Sequence, residues 1–309
     1  MNKIEFGDCR EIMKRWKDEG VKVQTCVTSP PYFGLRDYGH DGQIGLEQTV
    51  SEYVTNIVDV FADVWNILED NGTVWLNLGD SYYNYRPGKG QALNKQTVSN
   101  TNQDLPTTCA RRGNKQDGLK EKDLIGIPWR VAFALQEFGW TLRQDIIWHK
   151  PNPMPESVRD RCTKSHEYIF LLTKSPKYYF DNKSIKEPSV DPEGTKKRYE
   201  KKFNAFNGGM QQGAISRNNP IIKLEFDGKR NKRSVWTVNT KAYKGAHFAT
   251  FPKELITPCI LAGSKENDIV FDPFMGSGTT AQVAKELGRQ YMGCELNPEY
   301  ETLQNERLA

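Results

Sequence analysis

The sequence predicts an α/β fold, because strand and helix patterns alternate at both ends of the chain. Near the N-terminus, a β-rich run at 22–28 ends at two prolines, which cannot donate hydrogen bonds to a sheet. A capping-box pattern between Thr49 and Glu52 then opens a segment with apolar residues at helical spacing. A turn signal at 70–72 precedes an apolar run at 73–78 that is typical of a buried strand.

The second alternating set lies near the C-terminus. A helical pattern at 251–262 precedes a strand at 268–271, a helix at 277–287 and a strand at 291–295. The last three form a βαβ unit, whose crossover is right-handed in nearly all proteins and whose strands are parallel. We therefore expect a sheet with parallel strands.

The middle of the chain continues the pattern around one long polar loop. A helix predicted at 123–138 closes at Gly139, and strand-like segments follow at 140–148 and 168–173. By contrast, the segment 83–120 is rich in Gly, Asn, Gln and Thr and lacks an apolar period, which predicts a surface loop.

The composition is that of a soluble globular protein. Of 309 residues, 37% are hydrophobic and 27% are charged. The longest stretch without a charge, 203–216, is rich in Asn, Gln and Gly, so no membrane-spanning helix is predicted. Because Glu5 and Asp8 precede any apolar run, we expect no secretory signal and a cytoplasmic location.

The cysteines and histidines indicate neither a disulfide framework nor a metal site. They form no C-x-x-C pair and no neighbouring histidine pair, and a chain of this length needs no disulfides. We therefore predict that no metal is bound. The cysteines are Cys9, Cys26, Cys109, Cys162, Cys259 and Cys294. The histidines, each expected to be structural or at the surface, are His40, His149, His166 and His247.

The positive charge is concentrated in one segment. Residues 183–233 hold 13 basic and 6 acidic residues, a local charge of +7, whereas the remainder of the chain is at −3. This segment lacks a clear core period, so we interpret it as an inserted surface module.

The C-terminal βαβ unit carries a pattern that favours nucleoside binding. After Asp272, the turn between strand and helix has the form G-x-G-x-x-A, with Gly276, Gly278 and Ala281. Glycines at such a turn allow a ligand to approach the backbone closely. Glu295 ends the next strand, where a carboxylate can accept hydrogen bonds from both ribose hydroxyls. A dinucleotide such as NAD remains an alternative at this point.

A second pattern, Thr28-Ser29-Pro30-Pro31-Tyr32, ends the first predicted strand. Two prolines make a strand end rigid and remove backbone donors, so the carbonyl groups and the Ser29 hydroxyl can accept hydrogen bonds from an amino group. Tyr32 adds a face for stacking. The alternative interpretation is a proline-terminated edge strand with an aromatic residue packed beside it.

These patterns together resemble the β-class DNA amino-methyltransferases, which use S-adenosylmethionine (SAM) to methylate the amino group of cytosine or adenine. TSPPY at 28–32 is similar to the catalytic motif IV, and FDPFMGSGTT at 271–280 to the SAM-binding motif I. HFATFPKELI at 247–256 is similar to motif X. Gly7-Asp8 matches a pattern that often precedes the catalytic strand. The catalytic motif before the SAM motif defines the β arrangement.

The resemblance implies a Rossmann-like fold with a doubly wound, mostly parallel sheet and an inserted target-recognition region. In this arrangement, residues 1–182 are the catalytic part of the methyltransferase domain and 183–233 are the basic target-recognition insert. Residues 234–309 are the SAM-binding part of the same domain.

The resemblance also implies roles for individual residues. Ser29, Pro30, Pro31 and Tyr32 would be catalytic, and Glu295 would hold the ribose. The residues expected to bind the cofactor are Asp8, Thr250, Phe251, Asp272, Phe274, Gly276, Ser277, Gly278, Thr279 and Glu295.

For three of these residues, a purely structural role is also a plausible explanation. Phe251 and Phe274 are also compatible with core packing. Asp8 is also compatible with capping a helix that starts at Cys9, and one aspartate can do both.

The implied mechanism is direct transfer to a flipped base. A base in a duplex cannot reach the cofactor, so it must be extruded into a pocket, where Tyr32 would stack on it. Ser29 Oγ and the Pro30 carbonyl would accept hydrogen bonds from the amine and direct its lone pair at the methyl group. A serine before PPY is commoner among N4-cytosine enzymes of this family, which favours cytosine; adenine N6 remains the alternative.

Double-stranded DNA is the implied partner, and the basic residues are candidates for phosphate contacts. They are Arg111, Arg112, Lys196, Lys197, Arg198, Lys229, Arg230, Lys232 and Arg233. A solvated surface without a ligand is the alternative for the charge runs. We hypothesise that the loop 83–120 closes over DNA. The sequence is compatible with a monomer or a homodimer. It is also compatible with an enzyme that acts beside a cognate restriction endonuclease or alone.

Two further functions remain open. Methyltransferases that act on glutamine in proteins also use a PPY motif, but they have Asn in place of Ser29 and the SAM motif first. A catalytically inactive DNA-binding protein on the same fold would be expected to have lost Asp272, the glycines or the TSPPY residues, and all are intact.

Overall fold

A computed structural model describes residues 2–35, 37, 39–40, 42–83, 118–208, 227–241 and 251–309. The chain divides into two compact units. One is formed by Met1–Phe180 and Ser234–Ala309, and the other by Asp181–Arg233. Most of the predicted loop at 83–120 lies outside the described residues. In the described part of the chain, no helix is both long and apolar enough to cross a membrane.

The described strands and helices are numbered in chain order. The strands are β1 (Lys3–Phe6), β2 (Val23–Thr28), β3 (Leu68–Leu78), β4 (Thr141–His149), β5 (His166–Thr173), β6 (Glu187–Pro188), β7 (Lys229–Arg230), β8 (Val235–Thr237), β9 (Ile269–Asp272) and β10 (Gln290–Glu295). The helices are α1 (Cys9–Asp18), α2 (Val50–Ile67), α3 (Ile127–Phe138), α4 (Pro192–Gly208), α5 (Lys253–Gly263), α6 (Thr279–Glu286) and α7 (Tyr300–Leu308).

Eight strands of the first unit form one sheet in the order β1-β10-β9-β2-β3-β5-β4-β8. Among the described pairs, β5 runs antiparallel to both neighbours, β3 and β4, and the other pairs are parallel. The prediction of a mostly parallel α/β sheet is therefore confirmed.

Helices cover both faces of this sheet. On one face, α1, α2 and α3 share a buried cluster with alternate strand residues such as Cys26, Val74 and Phe271. On the other face, α5 contacts β2 and β3, and its buried residues Leu255 and Ile256 lie outside that cluster. Alternate residues of one strand therefore bury against different helix layers, as the period of a strand requires.

Two predicted helix starts are confirmed by their caps. Asp8 accepts a hydrogen bond from the backbone N–H of Arg10 at 2.8 Å and caps α1. Thr49 and Glu52 form the reciprocal capping box of α2, with distances of 3.1 and 3.0 Å. Both caps satisfy N–H groups that lack partners inside a helix.

Two predicted boundaries are wrong. The turn signal at 70–72 lies inside β3, where the strand bulges: Val23 pairs with Leu68, but Thr25 pairs with Thr73. The helix predicted from 123 begins at Ile127, because Gly126 has a positive φ of 79° and Pro128 occupies the first turn.

The second unit contains a helix that apolar periodicity did not predict. Over α4, polar residues dominate all round, so the apolar stripe used to recognise a helix is missing. The helix starts after Asp191, whose carboxylate accepts a hydrogen bond from the N–H of Gly194 at 2.9 Å. A short antiparallel pair, β6 with β7, belongs to the same unit.

Candidate functional site

The sheet order brings four distant chain segments to one edge. Strands β1, β10, β9 and β2 are neighbours and parallel, so their carboxyl ends lie together. Asp8, Ser29, Asp272 and Glu295 lie at or just after those ends. This is the edge at which open α/β sheets bind ligands.

A pocket of about 950 Å³, including its open mouth, lies at this edge. Two turns contribute residues to its wall. One is the SPPY turn (29–32), which follows β2, and the other is the glycine-rich turn (273–278), which follows β9. The sequence-predicted residues among them are Asp8, Ser29, Pro31, Phe274, Gly276, Ser277 and Glu295. Some of the predicted catalytic residues and some of the predicted cofactor residues thus line the same cavity.

Glu295 is held at the end of β10 by backbone donors. Its Oε2 accepts from the N–H of Gly276 at 2.6 Å and its Oε1 from the N–H of Asn297 at 2.9 Å. Burial raises the pKa of this carboxyl, although the backbone hydrogen bonds oppose the shift. Each oxygen retains acceptor capacity, so the carboxylate can also accept from a pair of hydroxyls.

Asp272 does not line the pocket. Its carboxylate is 1% exposed and accepts hydrogen bonds from Thr28 Oγ1 at 2.6 Å, Thr280 Oγ1 at 2.7 Å and the N–H of Phe274 at 3.0 Å. Burial raises the pKa of Asp272 to about 7 despite these donors. The residue joins the end of β2 to the turn after β9.

Three other predicted cofactor residues shape the surroundings. Gly278 has a φ of 84° at the start of α6, a conformation that a side chain would strain. Thr279 accepts a hydrogen bond from Arg307, and neither Gly278 nor Thr279 lines the pocket. Phe251 is half-buried before α5 and is likewise not among the lining residues. Thr250 lies outside the described residues.

Two pocket residues carry polar groups toward a ligand. The Ser277 hydroxyl is buried and has no hydrogen-bond partner among the described residues. Asp8 caps α1 and is also held by the Arg10 guanidinium, which lowers the pKa of this carboxyl. Asp8 therefore has both a structural role and a place in the pocket wall.

Tyr32 turns away from this pocket into a hydrogen-bonded cluster. Its hydroxyl donates to Glu167 Oε2 at 2.9 Å and lies 3.2 Å from Asn77 Oδ1. The Ser29 hydroxyl donates to Tyr32 Oη at 3.4 Å. The ring packs so closely on Gly79 that a Cβ there would lie 2.5 Å from Tyr32 Cε2.

The two prolines differ in exposure. Pro30 is buried, whereas Pro31 is half-buried and lines the pocket. The Tyr53 hydroxyl donates to the Pro31 carbonyl at 2.9 Å, which fixes the turn against α2.

The chain matches the family model described as DNA methylase, N6_N4_Mtase, over residues 23–306. The chain belongs to the N6/N4 DNA methylase family. It is a DNA amino-methyltransferase, and the family resemblance seen in the sequence is confirmed.

Two relatives support this membership, and solved structures share the fold. The chain is 46% identical to the Type II methyltransferase M.SmaI of Serratia marcescens over 307 residues, covering 99% of this chain and 90% of that one. It is 46% identical to M.Cfr9I of Citrobacter freundii, covering 98% and 86%. Among solved structures, PvuII DNA methyltransferase (cytosine-N4-specific) is similar with a TM-score of 0.61 and 18% identity, covering 99% and 86%. The M1.HpyAVI-SAM complex is similar with a TM-score of 0.56 and 19% identity, covering 100% of both chains.

The basic residues predicted to contact DNA are spread over the methylase chain. Lys196, Lys197 and Arg198 lie on α4 of the second unit. In the same unit, Arg230 is bonded to Glu187 at 2.9 Å, so part of its charge is neutralised. The neighbouring predicted residues are Lys229, Lys232 and Arg233. Arg111 and Arg112 lie outside the described residues.

Sequence reasoning missed several residues of this edge. His40, Gln43 and Ile44 line the pocket from the segment after the SPPY turn, although His40 was expected to be structural or at the surface. Nothing in their spacing indicated this position. Asn77, by contrast, interrupts the apolar run of β3, and a buried amide there was a usable signal.

The variant Asp272→Asn tests the buried carboxyl through the pH dependence of stability. Because burial raises the pKa of Asp272 to about 7, the folded state binds this proton more tightly than the unfolded state. From about pH 4 to about pH 7, this group therefore lowers the free energy of unfolding as pH rises, by up to about 4 kcal/mol. We expect the wild type to lose more stability over this range than D272N, measured by urea unfolding at a series of pH values.

The control is Asp268→Asn, which removes a less buried carboxyl just before β9. D268N should keep the wild-type dependence on pH. Parallel pH curves for the wild type and D272N would show that Asp272 has an ordinary pKa.

Proposed function

We propose that this methylase transfers a methyl group from SAM to the exocyclic amine of a flipped base in double-stranded DNA, with N4 of cytosine favoured. The observation that carries the proposal is the placement of Ser29 and Glu295 in the wall of one pocket. Ser29 offers an acceptor for an amine, and Glu295 offers an acceptor for a ribose. A methyl group bound between them would have only a short distance to cross.

The pocket residues fit SAM. Glu295 has remaining acceptor sites for two ribose hydroxyls, and the unpartnered Ser277 hydroxyl offers a donor for the methionine carboxylate. Phe274 supplies an apolar wall, and the positive φ of Gly276, 54°, keeps the turn open beside it. The similar M1.HpyAVI structure is a complex with the same ligand. When bound, SAM supplies an activated methyl group on a positively charged sulfur.

The base would be held by the SPPY turn. Ser29 Oγ and the Pro30 carbonyl accept hydrogen bonds from the amine, so that its lone pair is directed at the methyl group. Tyr32, whose half-buried ring packs against Gly79, would stack on the base. Pro31 keeps the turn rigid. Most of the rate then comes from proximity and orientation.

Cytosine is favoured over adenine by Ser29, since serine precedes PPY more often in N4-cytosine enzymes of the family. PvuII methyltransferase, which is named cytosine-N4-specific, shares the fold at 18% identity. Adenine N6 is the alternative within the same mechanism. An inactive DNA-binding protein is the alternative of another class.

We further propose that the second unit recognises the target sequence. Its cationic helix α4 suits a phosphate backbone. The relatives M.SmaI and M.Cfr9I are named Type II methyltransferases, which favours action beside a cognate restriction endonuclease. A cytoplasmic location, and a monomer or homodimer, remain predictions.

Analysis of the modified nucleoside tests the proposal directly. The purified protein is incubated with SAM and unmethylated double-stranded DNA of mixed sequence, and the digested nucleosides are analysed by mass spectrometry. We expect N4-methylcytosine. N6-methyladenine would keep the mechanism and overturn the base assignment, whereas no methylated nucleoside would favour the inactive binder.

The two halves of the pocket are separated by Ser29→Ala and Glu295→Ala. S29A should lower single-turnover methylation by roughly 10²-fold, because a hydrogen bond to the reacting amine is lost. Its dissociation constant for SAM should stay at the wild-type value in a calorimetric titration. E295A should weaken SAM binding by about 10- to 100-fold, as expected for lost hydrogen bonds to a charged group. If S29A weakened SAM binding and E295A lowered only the methylation rate, the assignments of Ser29 to the base and of Glu295 to the cofactor would be wrong.

The salt dependence of DNA binding tests the second unit. Removing two phosphate contacts with Lys196→Ala/Lys197→Ala should lower the slope of log affinity against log salt by up to about 2. The matched control is Lys14→Ala/Lys17→Ala, which removes two exposed lysines from α1. Equal slopes for both double variants would remove Lys196 and Lys197 from the DNA interface.

A further inference from the structure

We propose that Glu167 is the final proton acceptor for the methylation reaction, through a hydrogen-bonded chain that runs from Ser29 to Tyr32 to Glu167. The proposal deepens the proposed function and rests on it. It assigns a positioning and proton-accepting role to a residue that lies in no recognised motif.

The direction of the hydrogen bonds carries the proposal. The Ser29 hydroxyl donates to Tyr32 Oη at 3.4 Å, and the Tyr32 hydroxyl donates to Glu167 Oε2 at 2.9 Å. Both hydroxyls therefore have their acceptors on the side away from the pocket, and for Tyr32 the Glu167 carboxylate is nearer than the second acceptor, Asn77 Oδ1 at 3.2 Å. This leaves the Ser29 oxygen with acceptor capacity on its pocket side. The first link is the longer one, and hydrogen bonds at catalytic sites commonly tighten when the substrate binds.

Glu167 is held in one position by a residue of β3 and by the residue that follows β4. Its Oε1 forms an ion pair with Lys150, which directly follows β4, and Asn77 of β3 donates to its Oε2 at 3.3 Å. The side chains of Glu167 and Lys150 are 16% and 17% exposed. The Lys150 ammonium also lies 4.2 Å from the centroid of the Trp148 ring, which restricts its movement.

Cationic groups lie near the Glu167 carboxylate. Besides Lys150, a nearby cationic group is Lys164, whose Nζ is buried without a hydrogen-bond partner among the described residues. Burial lowers the pKa of Lys164, and the negative charges of Asp80 and Glu167 oppose that shift. His166, beside Glu167 in β5, has a lowered pKa through burial and through Lys164.

Tyr32 is suited to transfer a proton without ionising. Burial and the charge of Glu167 raise the pKa of the phenol well above its usual value. The phenol therefore stays neutral and can only receive one proton while it gives up another. The close contact with Gly79 keeps the ring between Ser29 and Glu167.

Atoms and charges balance in the transfer. The amine nitrogen forms a bond to the methyl carbon, the methyl–sulfur bond breaks, and its electron pair stays on sulfur. The nitrogen then carries a positive charge and must lose one proton. That proton passes to Ser29 Oγ while the Ser29 proton passes to Tyr32 Oη and the Tyr32 proton to Glu167. Glu167 ends neutral, the methylated amine ends neutral, and the proton leaves to solvent after turnover.

If Glu167 had only a structural role, a side chain of the same shape would preserve the rate. The test therefore needs variants that keep the shape of the side chain and remove its proton transfer. Glu167→Gln retains an acceptor for the Tyr32 hydroxyl but cannot take up a proton at neutral pH. Tyr32→Phe retains the ring on Gly79 but removes the link. The matched control is Glu286→Gln on α6, which breaks the surface ion pair with Lys253.

Single-turnover methylation across pH 5 to 9 tests the proposal, with SAM and DNA dissociation constants and thermal unfolding measured in parallel. We expect E167Q and Y32F to lower the rate by about 10²-fold at each pH, as for the loss of a general base. Binding constants and unfolding temperatures should stay close to the wild type. E286Q should keep the wild-type rate and profile.

A wild-type rate in E167Q would overturn the proton-acceptor role, because a structural role alone survives this substitution. A lowered rate that is accompanied by equally weakened binding of SAM or DNA, or by a lower unfolding temperature, would also overturn it. Since the wild type is measured in the same assay, absence of any methylated base there would refute the proposed function and this inference together. Activity in the wild type with unaffected variants would refute the inference alone.

Discussion

The fold depends on a buried carboxylate that connects two distant parts of the chain. Asp272 accepts hydrogen bonds from Thr28 and Thr280, and Thr28 lies 244 positions away in the sequence. An isolated buried carboxylate would be costly, and its three donors offset part of that cost. Because Thr28 immediately precedes Ser29, the bond fixes the start of the SPPY turn relative to the glycine-rich turn. Asp272 therefore helps to set the distance across the pocket although it does not line the pocket.

This connection explains how a reaction site can be assembled from opposite ends of one chain. Strands β2 and β9 pair directly, so the two turns emerge side by side from one sheet edge. In the proposed reaction each turn has a separate role: one presents acceptors to the amine, and the other presents acceptors and donors to the nucleoside. The remaining strands place further groups at the same edge, with Asp8 following β1 and Glu295 ending β10.

Local patterns in the sequence predict most of the elements but not their pairing. The βαβ unit around Gly276 and the capping box at Thr49 are contiguous, and each agrees with the structure. The bulge that absorbs 70–72 depends on the register between β2 and β3, which no local pattern encodes. Helix α4 has no apolar stripe by which a sequence pattern could reveal it. In the site, the motifs predict Ser29 and Glu295, whereas His40 lies in the pocket only because the loop after the SPPY turn folds back.

The reversed direction of β5 explains why Glu167 has no signature in the sequence. Parallel strands deliver their last residues to the ligand-binding edge, and motif patterns are therefore expected at strand ends. An antiparallel strand delivers its first residues to that edge instead. Since β5 pairs antiparallel with β3 and β4, its start at His166 and Glu167 lies level with the end of β4 and just beyond Leu78. The one reversed strand among the described strands of the eight-stranded sheet thus supplies a carboxylate at the edge where the parallel strands supply hydroxyls and backbone groups. That placement allows Tyr32, four residues after the end of β2, to reach the Glu167 carboxylate with its hydroxyl.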